Sequence, residues 1–344
     1  MVYGWRHKKR EMPTHIQSIG FIKTRGIGDL VLASALLRSA KKAIPQVSIT
    51  AYLDGYTRGM ARVIPGIHEM VYIDWKDLRG TMQTLKNKPV DVVIDLGAWP
   101  RIDAIFATMI PASYRLGFRT PGQHRHYAYD AFVDHSSTVH ESENYKRMAD
   151  HFGWEHDMHP HLITHQLPSV KDIVGKPGSY VVLHLHPGGS APQYREWSWD
   201  KWRALIQYIV RMGYQVVLTG SQADMQKTQE FYNTLEVKQQ VRDVSGKMDI
   251  MQLWSALCHA KATVSVNTGV MHLAAASGRP TVGLCGPTSA LRWGPIGERA
   301  VSVTPPPNYS CQFLDLGFEY KGKDTHCMDY ISVEDVQTAL EKLI

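Results

Sequence analysis

The chain has 344 residues, 44% of them hydrophobic and 20% charged, with a formal net charge of +6. That balance belongs to a globular protein rather than a disordered or fibrous one, and the length suits two cores better than one. No apolar run reaches the ~18 residues that cross a bilayer, so any membrane contact is expected to be peripheral. The positive balance suits an acidic substrate, but the basic residues are scattered, without the aromatic-interleaved stripe of a nucleic-acid binder.

Met1–Arg10 is basic and lacks the apolar core of a secretory signal; it reads as a frayed extension, or one that touches anionic lipid. Strands then fit Ser18–Lys23, Val47–Leu53, Glu69–Ile73 and Val90–Asp95. Helices fit about 28–44, 56–63, 76–87 and 101–110. Tyr114–Phe118 fits a further strand, and 141–152 a helix with Tyr145, Met148 and Ala149 on one face. Between the first strand and helix stands Thr24-Arg25-Gly26-Ile27-Gly28-Asp29-Leu30. Its glycines allow a tight turn, and Asp29 falls where the helix dipole favours a carboxylate. A dinucleotide fingerprint would need glycine at Val31, which weighs against a nucleotide-dependent oxidoreductase. Asp29 is therefore either a capping residue or a carboxylate at the mouth of an open sheet, where ligands bind. Farther on, Arg101, Arg115, Arg119, His124, Arg125 and His126 make residues 97–135 basic and loop-rich, either simply solvated or able to meet acidic groups.

Residues 163–178, with Pro168, Gly175, Pro177 and Gly178, read as a linker between domains at 1–165 and 178–344. The second domain opens with Tyr180–His186, and strands follow at Gln215–Thr219, Gln240–Asp243, Thr263–Val266, Thr281–Cys285 and Ala300–Val303. Helices fit 198–212, 222–235, 249–259, 268–277 and 332–343, the last free to pack back on the first domain. Such alternation predicts parallel sheets covered on both faces. Gly188, Gly189 and Ser190 form a turn after a strand, either a plain loop or one suited to lie against phosphate. Asp224 reads first as a helix-start residue and second as an acceptor from a ribose hydroxyl. The 17 histidines show no metal-ligand spacing, and four cysteines without C-x-x-C argue against a zinc site and against a disulfide scaffold.

The most informative stretch is Ser265–Pro280. A short strand runs into Asn267-Thr268-Gly269, and an amphipathic helix follows. Such a helix start aims unpaired N–H groups and the positive end of its dipole at the sheet's carboxyl edge, and Gly269 leaves room for a phosphate. The alternative is an ordinary strand–helix joint capped by Asn267 or Thr268.

Taken together, these stretches resemble glycosyltransferase family 9, the lipopolysaccharide heptosyltransferases, over nearly the whole chain. The family form R-x-x-G-D-[VL] is matched by Arg25, Gly28 and Asp29. The form [DN]-[TS]-G-x-x-H-x-A-A is matched by Asn267, Thr268, Gly269, His272, Ala274 and Ala275. His186–Ser190 with Arg195 and Trp197 looks like the family's phosphate loop and its basic-residue-plus-Trp element. The resemblance implies the GT-B fold, two facing Rossmann-like domains with an interdomain cleft. It also implies a cytoplasmic enzyme, peripheral on the membrane's inner face, that moves heptose from a nucleotide-sugar donor (ADP-linked) to a glycolipid acceptor.

In that scheme Asp29 is the base and needs no cofactor. Arg195, Asn267, Thr268, Gly269, His272, Gly188, Gly189, Ser190 and Asp224 meet the donor; Arg25, Gly28, Arg119 and Arg125 meet the acceptor. Asn267 departs from members with Asp at this position, keeping the hydrogen bonding without the charge. No Asp-x-Asp occurs, so the diphosphate is expected to be held without a metal ion, by the helix start and Arg195. The residues leave open the acceptor, the sugar, the oligomeric state and any ligand of Cys311 and Cys327. A second reading, a related transferase with another nucleotide sugar and acceptor, also stands.

Overall fold

Apolar runs without polar alternation become strands buried on both faces, which is what a sheet covered by helices on each side requires. The computed structural model describes residues 9–99, 101–189, 191–309, 311, 314–315, 319–320 and 326–344. Ser190 and the basic run up to Lys8 lie outside the described residues. The chain divides after Ile163 into two units.

In the first unit, β1 (Ser18–Lys23), β2 (Ser48–Asp54), β3 (Glu69–Ile73), β4 (Val90–Asp95), β5 (Ala112–Arg119) and β6 (Ala131–Asp134) form one parallel sheet in the order β3-β2-β1-β4-β5-β6. In the second, β7 (Tyr180–His184), β8 (Gln215–Thr219), β9 (Val241–Asp243), β10 (Ala262–Val266), β11 (Thr281–Leu284) and β12 (Ala300–Val303) repeat the pattern as β12-β11-β10-β7-β8-β9. Both are the Rossmann order. Strand order reverses between β1 and β4 in one sheet and between β7 and β10 in the other. In open α/β sheets, ligands settle outside the carboxyl ends of the strands at such a reversal.

Gly20 in β1 shows how tightly the first sheet is covered: a Cβ there would lie 2.6 Å from the buried Tyr52 ring. The helix Ile27–Ala43 buries Leu30, Val31, Leu32, Leu36 and Leu37 and packs on the helix Glu141–His151. In the second unit the helix Trp199–Arg211, capped by the Ser198 side chain, places Trp202, Leu205, Ile206 and Ile209 in a core shared with β7 and β8. The terminal helix Val333–Glu341 sends Val336 and Leu340 into this second-unit core.

Several local expectations are corrected. Residues 56–63 form only a short 3-10 segment, Arg58–Arg62, because Gly59 weakens the helix and Pro65 bars its continuation. β6 is too short to show alternation in the sequence and exists through its pairing with β5. The linker region carries a one-turn helix, Lys171–Val174. Cys311 and Cys327 are joined in a disulfide with their Cα atoms 5.5 Å apart, although their spacing suggests no such scaffold.

Candidate functional site

At the carboxyl end of β1 the chain turns through Arg25 (φ +59°) and Gly26 (φ +77°), both left-handed, and enters the helix at Ile27. Gly26 is required for a second reason: a Cβ there would collide with Asp29 Oδ2. Asp29 sits in the first helical turn, yet its carboxylate caps no backbone N–H among the described residues. Oδ2 instead receives the Lys23 ammonium at 2.8 Å, while Oδ1 has no partner among the described residues. The Asp29 side chain keeps 23% exposure and that of Lys23 only 7%, so the carboxylate is reachable and the ammonium is not. Burial pulls the Lys23 pKa down, but Asp29, then Asp103 and Glu141, outweigh it and hold the group above its usual range. Lys23 is charged.

A polar network underlies this turn. Thr24 Oγ1 donates to Asp103 Oδ1, and Gly97 N–H donates to Asp95 Oδ1 at 2.8 Å. Asp95 Oδ2 accepts from Arg125 Nη2 at 2.6 Å and from the Tyr129 hydroxyl at 2.5 Å. Burial, then Asp95, push the Asp103 carboxyl up to about 7; Thr24, Arg125 and Lys23 pull the other way. Arg125 is thus not part of an exposed basic loop: its side chain is buried and bonded to Asp95. Arg119 stands outside, paired with Asp134 and lying over the Phe132 ring. Arg25 lies 5.5 Å from the Trp75 ring. Lys23, Asp95, Asp103 and Tyr129 escaped the sequence reading. The available signal was a charged residue closing an otherwise apolar strand, as in Phe21-Ile22-Lys23 and Val93-Ile94-Asp95.

In the second unit Asn267 follows β10, and Thr268 caps the helix Gly269–Ala276 by accepting from Val270 N–H at 3.2 Å. Asn267 is buried; its Nδ2 donates to the Trp293 carbonyl at 2.9 Å. Arg195 Nη1 donates to the Asn267 carbonyl at 3.1 Å and Nη2 to the Gly188 carbonyl. One guanidinium thereby joins the loop after β7 to the turn after β10. Burial lowers its pKa to about 10. Gly189 takes φ +77°, and among the described residues no atom beyond the chain neighbours lies within 3.5 Å of where a Cβ would stand on Gly188 or Gly189. His272 is buried in the first turn of its helix. Asp224 takes the helix-start role: Ser221 donates to its Oδ2 from both N–H and hydroxyl. His184 is bonded to Thr219, and His186 to Thr228. Among the described residues no three His, Cys, Asp or Glu side chains group as metal ligands.

Each sheet thus presents its motif at its own reversal point, a carboxylate in one unit and a helix start with a guanidinium in the other. This is the layout of a GT-B glycosyltransferase. Residues 79–313 match the model of glycosyltransferase family 9 (heptosyltransferase), and the chain belongs to that family. It is 25% identical over 299 residues to lipopolysaccharide heptosyltransferase 2 of Salmonella typhimurium, covering 80% of this chain and 84% of that one. Lipopolysaccharide heptosyltransferase 1 of Pseudomonas aeruginosa is likewise 25% identical, over 94% and 97% of the two chains. The solved structure of E. coli ADP-heptose LPS heptosyltransferase II superposes with a TM-score of 0.76 at 20% identity, over 95% of this chain and 98% of that one.

Proposed function

We propose that the protein transfers heptose from ADP-heptose to a lipopolysaccharide inner-core or related acceptor, with inversion and without a metal ion. Asp29 is the general base. One observation carries this: among the described residues Asp29 caps nothing, is tethered through one oxygen, and offers the other at a carboxyl edge where ligands bind. As the acceptor hydroxyl attacks the anomeric carbon, Asp29 takes its proton. The bond from that carbon to the diphosphate oxygen breaks, and the electron pair leaves with the diphosphate. The first-turn N–H groups at Thr268 and Gly269, with Arg195, stabilise that leaving charge in the part a divalent ion plays elsewhere. Gly188, Gly189 and His272 complete the donor side. Arg25, Gly28 and Arg119 serve the acceptor, whose lipid would bring the enzyme to the inner membrane face. The heptosyltransferase relatives support heptose, and the solved ADP-heptose LPS heptosyltransferase II supports an ADP-linked donor.

Thermal-shift screening of ADP-, GDP- and UDP-sugars tests the donor, because a true donor stabilises the fold by mass action. Asp29→Asn should keep the donor-induced shift and lose transfer. Full turnover in that variant would remove Asp29 as base. Stabilisation by a GDP- or UDP-sugar, and not by ADP-heptose, would favour the reading of a related transferase with another donor.

A further inference from the structure

The proposal above leaves Lys23 unexplained. Lysine is almost never fully buried without a paired charge, and here it closes the central strand of the first sheet. Asp103, its carboxyl pushed up to about 7, is a poor sole counter-charge near neutral pH. Instead the ammonium is bonded at 2.8 Å to Asp29, a carboxylate that remains reachable from solvent. The oxygen that receives the ammonium, Oδ2, would collide with a Cβ at Gly26, so glycine at that position leaves room for this ion pair.

We infer that Lys23 is a positioning residue for the transfer reaction: it anchors Asp29 through Oδ2 and leaves Oδ1 aimed at the acceptor hydroxyl. This rests on Asp29 being the base. Lys23 makes and breaks no bond itself. The charged groups that act on it come from three helices: Asp29 from Ile27–Ala43, Asp103 from Arg101–Met109 and Glu141 from Glu141–His151. Asp103 in turn feels Asp95 and Arg125. Asp29 is the partner it touches.

The test uses Lys23→Gln and Lys23→Arg in the full chain, with Asp29→Asn beside them. Transfer is followed by ADP release from ADP-heptose with a lipopolysaccharide-core acceptor, and folding by thermal melting. Lys23→Gln should lower kcat at least tenfold and leave the donor KM unchanged. The acid limb of its kcat–pH profile should move to higher pH, because a carboxylate without an adjacent ammonium holds its proton more tightly. Lys23→Arg keeps the charge, so its acid limb should stay in place and its kcat return to within about fivefold of the parent. A folded Lys23→Gln with full kcat and an unmoved limb overturns the inference. If Lys23→Gln does not fold, Lys23→Arg decides: a displaced limb, or a rate reduced more than tenfold, overturns it. Asp29→Asn separates the two ideas. Loss of transfer there with a silent Lys23 refutes the positioning role alone, whereas an active Asp29→Asn refutes the base assignment beneath it.

Discussion

Arg195 Nη1 donates to the main-chain carbonyl of Asn267 across 3.1 Å, while its Nη2 serves the carbonyl of Gly188. Those acceptors follow β10 and β7, the strands between which the second sheet reverses its order. The side chain therefore braces the spot where the topology expects a ligand. Its planar fork suits two divergent acceptors and two phosphate oxygens equally, a geometry the lysine ammonium does not reproduce. Arg195→Lys should weaken donor binding by about tenfold, or ~1.4 kcal/mol. Arg195→Ala should weaken it further and lower the melting temperature, since it strands two carbonyl acceptors. Titration calorimetry with the donor, paired with melting curves, checks both. Parental affinity in Arg195→Ala would leave the residue a structural brace only.

Asn267 is committed through its side chain as well. Its amide donates to the Trp293 carbonyl at 2.9 Å, with Cys285 Sγ 3.4 Å away. Aspartate, which the family pattern admits at this position, has no donor when ionised and would point a charge at that carbonyl. Asn267→Asp should cost ~1–3 kcal/mol of folding stability from the lost, buried bond, and more from the charge. Urea unfolding at neutral pH measures it. Equal midpoints for the two proteins would mean that the amide is not what holds residues 267 and 293 together.

Gly117 in β5 links the first unit's core to its polar network. A Cβ there would run into the ring of Tyr129, which is buried and bonded through its hydroxyl to Asp95 Oδ2. Gly117→Ala should destabilise the protein by ~1–3 kcal/mol, the usual range for overpacking. It should also displace the tyrosine from Asp95, which a crystal structure of the variant would reveal. An unmoved Tyr129 with parental stability would show that the strand can shift to absorb the methyl group.

How much of this was readable beforehand depends on range. The turns at 24–29 and 267–269 were legible because local chemistry determines them: glycine for left-handed backbone, Thr268 for the cap, Asp29 for the dipole. The central strands were legible from apolar runs such as Tyr180–Leu183. What stayed hidden was pairing at a distance. Arg125 looks like one more cation in a basic loop until the fold sets it against Asp95, thirty positions away. Lys23 and Asp29 are close in sequence, but their contact depends on a turn that reverses the chain. Cys311 and Cys327 likewise meet across a sequence separation of 16.

Two buried groups give the stability–pH curve a specific shape. Burial, then the neighbouring His186, push the His184 ring down to about 4, while burial, then Asp95, push Asp103 up to about 7. Between about pH 4 and the ordinary histidine value near 6.5, folded His184 binds fewer protons than the unfolded chain does. Its contribution is therefore complete above 6.5 and lost as pH falls toward 4. Asp103 has the opposite sign: from the ordinary carboxylate value up to about 7, the folded state binds more protons, so raising the pH removes stability. Melting temperatures at pH 5 and 7.5 separate the two through variants. On going to the higher pH, His184→Gln should gain less than the parent, and Asp103→Asn should gain more. If both variants track the parent across that interval, neither group titrates differently in the folded protein, and the buried histidine and carboxyl environments described here are wrong.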